Sequence, residues 1–115
     1  MTGPEDLLNR AVQAASQASR ERVEKSQVEG LLSFLNERND VNELLFYIMR
    51  QSARGSIGRN TARLLVEHIR GIKGDVESVR RYLGYFKWAY EVVEKNRITS
   101  PLDNFNKLVD AFLKR

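Results

Sequence analysis

A chain of 115 residues with 42% hydrophobic and 30% charged side chains can bury one real core, and two domains would be hard to fit into it. The absence of cysteine excludes a disulfide framework, a thiolate metal site and a cysteine nucleophile. Net charge is +4 but unevenly spread: residues 1–49 carry five basic and eight acidic side chains, residues 50–97 eleven and five, residues 98–115 three and two.

No window approaches 18 uninterrupted apolar residues, and Glu5 and Asp6 stand where a secretory leader would be basic and then apolar. The expectation is a cytoplasmic protein without membrane contact. The two prolines, Pro4 and Pro101, fall where helices could begin, and no stretch alternates apolar and polar residues over strand length. The pattern predicts an all-α fold: one compact bundle of about five to six helices, with an acidic half over 1–49 and a basic half over 50–115, and a turn at 55–58.

In chain order, a first helix is expected over about 5–28, with a thin seam of Ala11, Ala14, Ala15 and Ala18 that permits close packing. Gly30 and the stretch Asn36–Asp40 bracket a short second helix presenting Leu31, Leu32, Phe34 and Leu35. Asp40 or Asn39 caps a third, with Glu43 three residues after Asp40, and Val41, Leu44, Leu45, Ile48 and Ser52 form its buried stripe. The fourth, about 60–72, buries Ala62, Leu65, Val66, Ile69 and Ile72, and the segment Gly71–Asp75 ends it. Asp75 caps a fifth over about 76–96, whose stripe is Val79, Leu83, Phe86, Ala89, Tyr90 and Val93. Ser100 caps a sixth, with Pro101 in its first turn and Leu102, Phe105, Leu108, Val109 and Phe112 on its apolar face.

Two surfaces exceed what a core requires. Arg59, Arg63, Glu67 and Arg70 share roughly 80° of arc on the fourth helix, beside its buried stripe. Glu67 is spaced to pair with Arg63 and Arg70, yet three arginines against one glutamate leave the ridge positive. Guanidinium groups suit bidentate phosphate contact. Arg50 and Arg54 end the preceding helix, and Arg80, Arg81 and Lys87 extend the basic surface. On the fifth helix, Arg81, Tyr85, Trp88 and Val92 lie nearly opposite the core stripe, so that helix has two apolar sides. Either the second side is covered within the bundle, or Tyr85, Trp88 and Val92 form a subunit interface or a base-stacking surface. Phe46 and Tyr47 raise the same question on the third helix.

Catalytic chemistry finds little footing. His68, the one histidine, sits away from both the apolar stripe and the arginine ridge, as surface or as a satisfied partner, with nothing to complete a zinc site. No GxSxG elbow exists, and Gly55–Arg63 does not match a nucleotide-binding P-loop. No cofactor is implied. The segment Gly55-Ser56-Ile57-Gly58 is formally the GxxG of a KH module, but that module needs strands. "SIGRNTARLL" also resembles the helix-hairpin-helix motif, whose Gly-hydrophobic-Gly turn opens a helix so that its amides bind a DNA phosphate. Ile57, Gly58 and Ala62 fit that motif, and Ser56 takes the place of its first glycine.

From Ile57 onward a wider resemblance is carried by Thr61 and Arg63, then "LLVEHIRGIK", "YFKWAYEVV" with Ala89 and Tyr90, and "LDNFNKLVDAFLKR". In order and spacing these segments resemble the small helical subunit of CRISPR effector complexes, most nearly that of the type III-A (Csm) complex. The resemblance implies a non-catalytic subunit, stacked in several copies beside other subunits, whose basic residues line the path of the guide RNA and target strand. Two rival readings are a helix-hairpin-helix-like DNA binder and a helical protein adaptor whose basic face is only solubilising.

Overall fold

The computed structural model describes residues 4–72 and 75–114. Six helices run through them: α1 (Pro4–Arg20), α2 (Lys25–Arg38), α3 (Val41–Ala53), α4 (Arg59–Gly71), α5 (Val76–Lys95) and α6 (Phe105–Leu113). No strand occurs among the described residues, so the fold is all-α. The radius of gyration, 13.1 Å, is that of one globule of this length.

Helix α1 is the hub. Ala11, Ala14, Ala15 and Ala18 are wholly buried, and α1 packs chiefly against α5 while also touching α4 and α6. Short side chains let the backbones approach closely, and the facing side of α5 supplies bulk through Tyr82, Leu83 and Phe86. Two α1 side chains hold the long connection from α5 to α6. Ser16 Oγ accepts from the Leu102 amide at 3.0 Å and Asn9 Oδ1 from the Phe105 amide at 2.9 Å.

Helix ends account for the boundaries that differ from expectation. The first helix stops at Arg20 instead of continuing to 28, because Arg22 adopts the left-handed conformation at φ 59°. The Val23 amide then bonds back to Ala18 O at 2.9 Å and the Arg22 amide to Ser19 O at 3.1 Å, the two bonds of a Schellman stop. The same pair of bonds closes α3, through Gly55 (φ 80°) and Ser56, and α5, through Arg97 (φ 52°) and Ile98. Left-handed backbone costs a non-glycine residue roughly 1 kcal/mol. Burial of Val23 and Ile98, the residue after each turn, offsets that cost. Consequently α2 starts at Lys25, and Gly30 lies inside it rather than before it.

Caps were predicted correctly twice. Asp40 Oδ1 accepts from the Glu43 amide at 3.0 Å, and Asp75 Oδ1 from the Ser78 amide at 3.1 Å. The sixth helix starts later than expected: Asn104, not Ser100, caps it by accepting from the Lys107 amide at 2.8 Å, and Pro101 stays in the connection. Leu108 is buried, whereas Phe105, Val109 and Phe112 face outward. At the end of α4, Ile72 is buried, while Lys73 and Gly74 of the expected stop lie outside the described residues.

His68 is buried in the core, not set apart from it. Its Nε2 is 3.1 Å from Gln13 Oε1 of α1 and its Nδ1 2.7 Å from the hydroxyl of Tyr82, a wholly buried residue of α5. An amide oxygen only accepts, so Nε2 carries the proton and Nδ1 accepts from Tyr82. Thr61, two turns earlier on the same line of α4, is buried too. A helical wheel shows one apolar stripe, and here α4 also buries this second, polar line.

Burial chiefly, helped by the positive charge of Arg10 and opposed by the negative charge of Asp6, lowers the His68 pKa from 6.5 to about 4. The fold therefore holds the neutral ring, and the unfolded chain binds the extra proton first. Stability from this group is complete above about pH 6.5, falls as pH drops from 6.5 toward 4, and loses on the order of 3 kcal/mol in all. Urea melts at pH 7.0 and 5.0 should show the decline, and His68→Gln should flatten it.

Candidate nucleic-acid interface

The turn between α3 and α4 places the arginines. Gly55 carries its one positive φ, so Ser56 occupies no position that demands glycine. Ile57 is buried and pins the turn to the core, and Gly58 precedes the first residue of α4. The start of α4 is already occupied by an anion, the carboxylate of Glu21 from the α1–α2 elbow. Thr61 donates to Glu21 Oε1 from its amide at 2.8 Å and from its hydroxyl at 2.6 Å, and the Asn60 amide donates to Oε2 at 3.3 Å.

Burial alone would raise the Glu21 pKa, but these bonds from Thr61 and Asn60 outweigh it and hold the carboxyl below its ordinary value. The positive end of the α4 dipole acts in the same direction. A Cβ at Gly58 would collide with the Glu21 side chain, which explains glycine there. A helix-hairpin-helix clamp uses such amides for a DNA phosphate, and here Glu21 has taken that place.

Arg59, Arg63 and Arg70 project from α4 into solvent, and Arg50 and Arg54 from the end of α3. None of the five forms an ion pair among the described residues, and Glu67 pairs with neither Arg63 nor Arg70. A groove of about 490 Å³ separates α3 from α4, with Met49, Ala62 and Val66 as apolar lining and Ser52, Arg59, Arg63 and Glu67 as polar lining. The site therefore draws on two helices.

The other expected contacts divide. Arg81 is exposed on α5 and Lys87 half-exposed, and neither lines the groove. Arg80 is tied inside the molecule: its Nε donates to Asn36 Oδ1 at 2.7 Å, its Nη2 to Asn39 Oδ1 at 2.9 Å, and its Nη1 to Glu77. It fastens the start of α5 to the end of α2. Tyr47 is also used internally, stacked on Phe34 of α2 with ring centroids 4.3 Å apart, whereas Phe46 is 73% exposed.

The second apolar side of α5 is only partly covered. Tyr85 and Val92 are half-buried beside Leu8 of α1, and Trp88 is 65% exposed. With Leu8 and Phe105 they form an apolar surface spanning α1, α5 and α6, and Val109 and Phe112 of α6 are also exposed. Sequence reasoning missed Glu21, Leu8 and the groove-lining Met49. Glu21 meets Thr61 across 40 positions of chain, and no local pattern signals such a contact.

No protein-family model matches the chain, and a comparison with curated proteins finds no match. Among the described residues no cluster of three or more histidine or carboxylate side chains could hold a metal ion, and no helix is long and apolar enough to cross a membrane.

Replacing Glu21 removes a cap and leaves the Thr61 hydroxyl and two helix amides without their acceptor. Glu21→Ala should lower stability by about 1–2 kcal/mol in urea unfolding.

Proposed function

We propose that this chain is a non-enzymatic, nucleic-acid-binding subunit of a ribonucleoprotein, of the kind implied by its resemblance to the small subunit of type III-A CRISPR effector complexes. The observation that carries the reading is the group of five exposed arginines that form no ion pair among the described residues, three along α4 and two at the end of α3. Guanidinium side chains make the phosphate contacts, because the α4 amides are committed to Glu21. Such contacts position a backbone without reading its sequence.

The apolar surface around Trp88 serves protein contact, with a copy of the chain or another subunit, and lies on different helices from the groove. Arg80 belongs to the scaffold rather than to the ligand surface.

Arg59→Ala, Arg63→Ala and Arg70→Ala combined should weaken binding to RNA and DNA of any sequence by similar factors. The slope of log K against log salt should fall by about 2–3 in gel shifts at several salt concentrations, one near-unit for each lost phosphate contact. Unchanged binding would leave the basic face as a solubilising surface. Arg80→Ala should lower stability by about 1 kcal/mol and change affinity less than twofold. Recovery of the tagged protein from its host should bring short guide-like RNAs with it, and Trp88→Glu should detach its protein partners while sparing RNA binding in vitro.

A further inference from the structure

Phe46 and Met49 stand on α3 three residues apart, about one helical turn, and they are 73% and 51% exposed. Met49 lines the groove that Arg59 and Arg63 border from α4. Phe46 does not line the groove itself but stands on α3 one turn before Met49, exposed to solvent. Arg59 and Arg63 are themselves one turn apart on α4. Two cations and a thioether line the groove, and an exposed aromatic ring stands one turn away on α3.

This arrangement goes beyond phosphate attraction. A duplex keeps its bases stacked inside and offers the groove only its backbone, so Phe46 would gain nothing from it. A single strand offers both phosphates for the arginines and unpaired base faces for the ring. The one acidic side chain lining the groove, Glu67, weakens the field locally and leaves Arg59 and Arg63 in excess.

We propose that the α3–α4 groove binds single-stranded nucleic acid, with Phe46 and Met49 as a base-stacking edge and Arg59 and Arg63 on the phosphates. The inference rests on the nucleic-acid reading above and narrows it to an unpaired strand. It also gives Phe46 a ligand role distinct from the protein contact around Trp88.

The test uses the full-length chain with fluorescein-labelled 15-nucleotide oligo-dT and oligo-U and a 15-base-pair DNA duplex, read by fluorescence anisotropy. Strands carrying 2-aminopurine report stacking directly through quenching. Phe46→Ala should lose about tenfold in affinity for at least one single strand and abolish the quenching. It should change duplex affinity less than twofold and leave the salt slope as it was, because no phosphate contact is removed. Phe46→Trp should restore both affinity and quenching, and Arg59→Ala with Arg63→Ala should weaken single strand and duplex alike.

Binding of single strands that survives Phe46→Ala at full strength, while the arginine pair still matters, overturns the stacking edge and leaves the proposed function standing. No binding to any of the three probes overturns both. Loss of an oligomer on Phe46→Ala in sedimentation without nucleic acid, with single-strand affinity unaltered, assigns Phe46 to a protein contact and overturns the inference.

Discussion

Four alanines on one side of α1, all wholly buried, put only methyl groups along most of that face, with Leu7 filling its first turn. Backbones that approach this closely hold large side chains in place on the facing helix, and Tyr82, Phe86 and Tyr90 of α5 are buried accordingly. Polar ties then spread from the same helix or its elbow. Gln13 reaches His68 of α4, Ser16 and Asn9 hold the connection to α6, Ser19 meets Glu94 of α5, and the Tyr90 hydroxyl donates to Val23 O. Larger residues along the α1 seam would push these partners apart together.

The charge asymmetry of the chain becomes an asymmetry of use. Acidic groups of the first half are spent on structure: Glu21 caps α4, Asp40 caps α3, and Asp6, Glu29 and Glu43 pair with Arg10, Lys25 and Arg38. The exposed pairs contribute little energy, but they do occupy basic groups of the same half. The arginines between 50 and 70 have no such partners among the described residues. Glu21 has a double effect, anchoring the helix that carries the ridge and closing the amide site at its start. In the proposed function, attraction for a polyanion is thereby left to side chains.

Much of the fold was legible because its signals are local. The α5 stripe, the caps at Asp40 and Asp75, and the bend at Gly55–Gly58 depend on residues within a few positions of one another. The errors have one physical origin in two forms. Arg22 ends α1 in a conformation that sequence reading reserves for glycine, because burial of Val23 by distant chain outweighs the local strain. His68 stands off the apolar stripe on a wheel, and only Tyr82 and Gln13, the latter 55 positions away, make it a buried partner rather than a surface group.

The candidate site divides along the same line. Periodicity alone places Arg59, Arg63 and Arg70 on one ridge, since a helix of fixed pitch leaves no other arrangement. Helical spacing likewise set Trp88 apart from the α5 core. Only the tertiary structure joined α3 to α4 in a groove, left Phe46 exposed while stacking Tyr47 on Phe34, and tied Arg80 to Asn36 and Asn39. The reason is range. Local spacing decides which side chains share a face, whereas pairing, burial and solvent exposure depend on what the rest of the chain brings against that face.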